Sequence, residues 1–331
     1  ICLVGSEMCI RDRTMTANAT IQPQASQQDT IHGESAIPGM PRPQGGDTPS
    51  TGIVLQEQPF DNTRDTNYFF ASSGHAEALS RLSFLVEDRN MGIGLLTGEI
   101  GCGKTVTRTM LHRQLAQPAH IVVSLENCLL EFDDLLLEII SQMRGERISA
   151  ADMPDRYSRL ATFKQTLMRK VADSNRHLVI LLDEAQQLTP ATIESLKSLT
   201  NIASERQNFL TLILIGQPEL RDTIRQLRQV DQRVSLRYHL NAMSHEETGR
   251  YLEHRLQVAG LQGPMPFDEN AVRLLFEASG GVPREINRIC KLALEHARAN
   301  DLTHLDASII NSVTDDLRRH GGLLTPCEMA S

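Results

Sequence analysis

The spacing of apolar and polar residues changes several times along this chain, and each change marks an element. Between Gly74 and Asp88, Leu79, Leu82, Leu85 and Val86 recur at helical spacing, which predicts a helix with one buried stripe. Ile93–Thr97 is a short apolar strand that runs into glycine, and a helix through about Ala116 follows. His120–Leu125 reads as a second strand, with helical patterns after it around Phe132–Met143 and Pro154–Ser174. His177–Leu182 is apolar without interruption, the pattern of a strand buried on both faces of a sheet. A helix from Thr189 to about Ser204 leads into the strand Phe209–Gly216, a further helix starts at Pro218, and a short strand lies near Leu236–Leu240. Strands alternating with helices imply βαβ units and a parallel sheet covered on both sides. Beyond Asn241 the strand signals stop. Helical patterns at His245–Ala259, Asp268–Ser279, Pro283–Ala299 and Asp306–Arg318 predict a small all-α region.

The opening of the chain has no such pattern. Residues 16–58 are rich in Gln, Pro, Gly, Ser and Thr and poor in large apolar side chains, so they are expected to form a disordered tail. The first 13 residues, ICLVGSEMCIRDR, resemble translated sequencing-adapter read-through, which puts the expected native start at Met15. The expected organisation is therefore a tail over 1–58, an α/β domain over 59–240, a helical domain over 241–318 and a flexible end over 319–331. The helix over Pro154–Ser174 carries Arg156, Arg159, Lys164, Arg169 and Lys170. Two readings stand: a face that touches phosphate backbones, or a mixed solvated face.

The strand–glycine–helix junction carries the first chemical signature. Gly98-Glu99-Ile100-Gly101-Cys102-Gly103-Lys104-Thr105 fits G-x-x-x-x-G-K-S/T, with Val106 following in the helix. Glycines there let successive N–H groups turn onto phosphates, and the helix N-terminus adds positive potential. Lys104 is expected to reach the β- and γ-phosphates of ATP, and the Thr105 hydroxyl to ligate Mg²⁺. Cys102 has two readings: a thiol acidified by the loop and Lys104, or a small residue filling a permissive position.

The second signature is the pair Asp183-Glu184, at the carboxyl end of the buried apolar strand. In open α/β sheets ligands bind at that edge. Asp183 is expected to hold the Mg²⁺ shell and Glu184 to orient or polarise the attacking water.

Taken together, the glycine loop, DEAQ, LILIGQPEL, QLRQVDQRVSLRYHL and GGVPREINRIC resemble the AAA+ ATPases. Within them the resemblance is to the ExeA/GspA-like secretion ATPases, and transposition helpers of the TniB, TnsC and MuB kind are similar in design. PFDNTRDTNYFFASSGHAEAL also fits that group, so the resemblance covers roughly residues 59–317. It implies a P-loop α/β sandwich followed by a helical lid. It also implies that Gln217 is a sensor-1 residue facing the γ-phosphate, although Gln217 also suits the turn before Pro218. Arg233 resembles an arginine finger that reaches the nucleotide of a neighbouring subunit, and Arg237 is its rival. Arg284 matches sensor 2. Arginine in the first turn of a helix opposes the helix dipole, so its placement is easier to understand if it faces phosphate. A trans-acting arginine implies self-association into a ring or filament that depends on nucleotide.

Composition narrows the role. A net charge of −8 and the absence of tryptophan argue against bulk DNA coating and base-stacking platforms. The six cysteines show no zinc-type or redox pairing, which suits free thiols in a reducing cytoplasm. No apolar run approaches the roughly 18 residues a membrane span needs. Secretion-type relatives usually continue past the lid into such a span. The resemblance therefore tilts toward a cytoplasmic DNA-targeting helper that recruits a transposase, with secretion-apparatus partners or a slow nucleotide-gated scaffold as alternatives.

Overall fold

The structure is a computed structural model and describes residues 53–63, 65–126, 128–204 and 207–321. The expected tail up to residue 52, the start at Met15, and residues 322–331 lie outside the described residues.

Helix α1 (Ser73–Glu87) precedes β1 (Ile93–Gly98), which passes through the glycine loop into α2 (Lys104–Leu115). Then come β2 (His120–Leu125), α3 (Phe132–Arg144), α4 (Arg156–Leu167), β3 (His177–Leu182) and α5 (Pro190–Leu199). The α/β part closes with β4 (Leu210–Gly216), α6 (Pro218–Gln226), the short α7 (Arg228–Asp231) and β5 (Val234–Leu240). Four helices follow: α8 (His245–Val258), α9 (Glu269–Ser279), α10 (Pro283–Ala299) and α11 (Ala307–Arg319).

The five strands form one parallel sheet in the order β2-β3-β4-β1-β5. Because every strand runs the same way, the carboxyl ends of β1, β4 and β3 share one edge. β4 pairs with both β1 and β3, with Thr97 opposite Gly216 and Leu182 opposite Leu214. The residue after β4 therefore lies between the glycine loop and the acidic pair.

Burial follows this order. β1, β3 and β4 are buried at every position, whereas the edge strands β2 and β5 are partly exposed. Alternate residues serve opposite faces. Leu178, Ile180 and Leu182 join α3, α4 and α5 in one apolar cluster, and Val179 and Leu181 join α1 and α2 in another.

A third apolar cluster holds α8 to α11 together. Phe60 belongs to this cluster at 2% exposure, meeting Phe267 edge-on, and Ile53 and Leu55 pack against it. Residues 53–58 thus pack as an arm on the helices, where the sequence suggested tail. Spaced apolar side chains anchor the arm despite polar neighbours. Backbone bonds from Gln56 to Ala259 (2.9 Å) and from Gln262 to Val54 (3.3 Å) hold it. Helix α5 is also shorter than expected. The Thr200 hydroxyl donates to the Lys197 carbonyl, and the chain turns into an isolated antiparallel bridge between Ala203 and Asn208.

Candidate active site

The glycine loop is shaped by backbone that only glycine adopts easily. Gly101 and Gly103 have φ of +89° and +94°. A β-carbon at Gly103 would sit 2.6 Å from His75 Nε2, and one at Gly101 would sit 2.8 Å from Arg284 Cβ. His75, on α1, was not singled out from sequence. Its Nδ1 lies 2.6 Å from Ser72 Oγ and its Nε2 lies 3.1 Å from the Cys102 carbonyl. Burial lowers its pKa, so a neutral imidazole braces the loop from below.

Lys104 is 6% exposed, and its Nζ donates to the carbonyls of Gly98 (2.8 Å) and Glu99 (2.9 Å). Burial lowers its pKa, and Glu184 is the foremost of the charges that oppose the change. Cys102 does not have the activated thiol that was one of its two readings. It is 1% exposed within the α1–α2 cluster, and burial pushes its pKa up against the weaker pull of Lys104. It fills space.

At the end of β3, Asp183 is held on every side. Its N–H donates to Leu125 O (2.9 Å), and its carbonyl accepts from the Cys128 thiol (2.9 Å). Its Oδ1 accepts from the Glu184 N–H (3.0 Å), and Oδ2 lies 3.3 Å from Arg108 Nε. Burial pushes the Asp183 pKa up, and Arg108, Thr105 and the Glu184 N–H oppose that rise. Glu184 itself is in the left-handed region at φ 52°, a conformation that costs a side-chain-bearing residue energy and turns it toward the cleft.

Gln186 joins this edge to β4, and sequence reasoning missed it. Its Nε2 donates to Glu184 Oε2 (2.6 Å), and its Oε1 accepts from the Gln217 N–H (3.1 Å). The motif DEAQ contained the residue but not its role, which depends on β4 lying beside β3.

A cavity of about 450 Å³ opens at this edge, within the usual size range of ligand pockets. Ile100, Gly101, Gly103, Lys104, Thr105 and Val106 line it, with Glu184, Gln217 and Arg284. Of the other expected binding residues, Gly98 and Glu99 face Lys104 through their carbonyls, and Cys102 and Asp183 lie behind the wall. Asn62 and Thr63 of the arm, with Tyr251, Arg255 and Asn287, form a further part of the lining that was not expected. Arg255 fastens the arm there, donating to the Pro59 carbonyl (2.5 Å) and the Asp61 carbonyl (2.6 Å).

Arg233 and Arg237 do not line this cavity. Arg233 is exposed, and Arg237 pairs with Asp231 at 2.9 Å. Of the basic residues over 154–174, Lys164 and Arg169 are exposed, and the other three have partners. Arg159 is buried on Asp134 and the Met153 carbonyl, Arg156 pairs with Asp133, and Lys170 caps the Met143 and Arg144 carbonyls.

No three His, Cys, Asp or Glu side chains among the described residues converge as a metal cage. The oxygen donors beside the loop, the Thr105 hydroxyl and the Asp183 carboxylate, fit a hard ion such as Mg²⁺, which is held by one or two protein ligands together with phosphates.

The family model described as "AAA domain" matches residues 87–224. General secretion pathway protein A of Aeromonas hydrophila is 37% identical over 272 residues, covering 81% of this chain and 48% of the relative. The chain therefore spans about half the length of that relative. Among solved structures, the ORC2 protein of Aeropyrum pernix, in its ADPNP–ADP complexes, superposes with a TM-score of 0.62 at 19% identity. That match covers 80% of this chain and 73% of the other. Cdc6p of Pyrobaculum aerophilum gives 0.57 at 17% identity, covering 77% and 69%. Both likenesses are of fold. No helix among the described residues is long and apolar enough to cross a membrane.

Proposed function

The chain belongs to the AAA+ proteins and resembles general secretion pathway protein A, and on that premise we propose that it binds and hydrolyses ATP as an oligomerising switch. One observation carries the reading: a single cavity is lined by Lys104, Thr105, Glu184, Gln217 and Arg284, drawn from four separate stretches of chain.

Lys104 and the loop N–H groups hold the β- and γ-phosphates, and Arg284 neutralises charge from the lid side. Thr105 and Asp183 would hold Mg²⁺, which when bound would supply further charge neutralisation. Glu184 accepts a proton from the attacking water, and Gln217 aligns that water with the γ-phosphate. Steady-state phosphate release tests this. Parent protein should turn over ATP, and Glu184→Gln should bind it with little turnover. A parent that binds no adenine nucleotide would reject the reading.

Arg233 or Arg237 completes the site of a neighbouring copy. Their positions outside this chain's own cavity support a role in trans. Light scattering with a non-hydrolysable ATP analogue should show larger assemblies. A strict monomer at saturating nucleotide would refute it.

For the biological role, secretion is the better supported of the two readings. It has the named relative behind it, whereas the DNA-targeting, transposase-recruiting reading rests on motif resemblance alone. That no helix among the described residues could cross a membrane carries no weight in that choice, because the chain covers only 48% of the relative's length. Recovery of envelope proteins in an ATP-dependent pull-down would support secretion. ATP-dependent DNA binding that falls steeply with salt would favour the other role.

A further inference from the structure

Arg108 lies on α2 one turn beyond Lys104, and no part of the hydrolysis scheme above uses it. It is 5% exposed, yet its guanidinium meets three oxygen-bearing side chains. Nε lies 3.3 Å from Asp183 Oδ2, one terminal nitrogen donates to Ser124 Oγ at 2.5 Å, and the other donates to Glu126 Oε1 at 2.6 Å. The carboxylate of Asp183 is buried, whereas that of Glu126 is half exposed at the end of β2. One planar cation thus spans α2, β2 and β3 at the sheet edge where the phosphate loop and the acidic pair meet.

We propose that Arg108 is a positioning residue of the metal site, fixing the Asp183 carboxylate beside the Thr105 hydroxyl and tying it to Ser124 and Glu126 at the end of β2. The argument is geometric. A carboxylate has about four acceptor positions on its two oxygens. In Asp183, Oδ1 accepts from the Glu184 N–H, and the contact of Oδ2 is the ion pair with Arg108 Nε at 3.3 Å. These two contacts set the turn of the carboxylate and leave acceptor positions open on both oxygens. Without the guanidinium, the Oδ2 side loses its anchor and the carboxylate is free to turn about its last side-chain bond. Lysine would keep the charge but not the rigid fork that engages three partners together.

This inference rests on the reading of the site as one for Mg²⁺-nucleotide, and its test separates the two. A fluorescent ADP analogue is bound to the full chain in EDTA, and MgCl₂ is then titrated in. For parent protein, no nucleotide binding would remove the proposed function itself. For Arg108→Met and Arg108→Lys, binding in EDTA should stay within about twofold of parent, while the Mg²⁺ concentration at half-effect rises about tenfold or more, as for other groups that orient metal ligands. Glu126→Gln should shift it in the same direction by less. Melting curves accompany each variant. A lowered melting temperature with an unchanged Mg²⁺ midpoint in Arg108→Lys would make Arg108 a purely structural residue and overturn the proposal. If Arg108→Met does not fold, Arg108→Lys and Glu126→Gln carry the same decision.

Discussion

Gly101 and Arg284 approach so closely that a β-carbon on the glycine would lie 2.8 Å from Arg284 Cβ, although one belongs to the phosphate loop and the other to the first turn of α10. The helical region is therefore seated directly on the loop. Gly101→Ala meets two penalties at once: the contact, and a φ of +89° that costs an L-residue about 1–2 kcal/mol. Either the loop or α10 must move. ATP affinity measured by titration calorimetry should fall about tenfold or more, since ~1.4 kcal/mol is a factor of ten. An unchanged affinity would mean that the loop and α10 separate freely when nucleotide binds.

Gln186 links Glu184, the proposed base, to Gln217, the proposed water-aligning residue, because it donates to Glu184 and accepts from the Gln217 backbone. Gln186→Ala should reduce the turnover of ATP by about ten- to a hundredfold, the range expected when a reacting group is slightly misplaced. Nucleotide affinity should stay close to parent. A change in affinity with turnover intact would show that Gln186 shapes the pocket and does not aim Glu184.

The arm offers a separate test of how the helical region is completed. Phe60 is 2% exposed in the helical cluster and stacks edge-on with Phe267 at 6.2 Å. Phe60→Ala should destabilise by about 3 kcal/mol or more, as for other buried phenylalanines. Because Asn62 and Thr63 line the cavity just beyond, ATP affinity should weaken too. Urea unfolding and calorimetry on one preparation check both effects. A stability loss under ~0.5 kcal/mol would place the arm outside the cooperative fold.

What could be read from sequence was whatever depends on local pattern. The buried strands His177–Leu182 and Leu210–Gly216 are continuous apolar runs, and the phosphate loop is a fixed spacing of glycines ending in Lys104-Thr105. The expected fold class, a parallel P-loop sheet flanked by helices and followed by further helices, is the one observed. What escaped depends on which strands become neighbours. Gln186 matters because β4 lies against β3, His75 because α1 crosses under the loop, and Arg108 because α2 passes the ends of both β2 and β3. The arm was missed for a different reason. Ile53, Leu55 and Phe60 are thinly spread among polar residues, so composition averaged over the segment hid them.

The last prediction concerns acid. His177, at the start of β3, is fully buried with its Nε2 2.8 Å from Thr211 Oγ1, and its Nδ1 has no hydrogen-bond partner. Burial is the main cause that lowers its pKa from 6.5 to about 4, and the positive charges of Arg89 and His120 act in the same direction. The unfolded chain therefore takes up a proton near pH 6.5, while the folded one resists until about pH 4. Stability from this group is complete above pH 6.5 and is lost progressively as the pH falls to about 4. Each tenfold difference in proton affinity between the two states is worth ~1.4 kcal/mol, so the loss is about 3 kcal/mol. Burial also lowers the pKa of His75, His112 and His120, so the parent should lose stability through the same range with more than one contributor. His177→Gln keeps a partner for Thr211 and removes the proton site. Urea midpoints at pH 7.5 and pH 4.5 should therefore differ less for the variant than for the parent. Equal losses in the two proteins would mean that His177 is charged in the folded state, or that water reaches the start of β3.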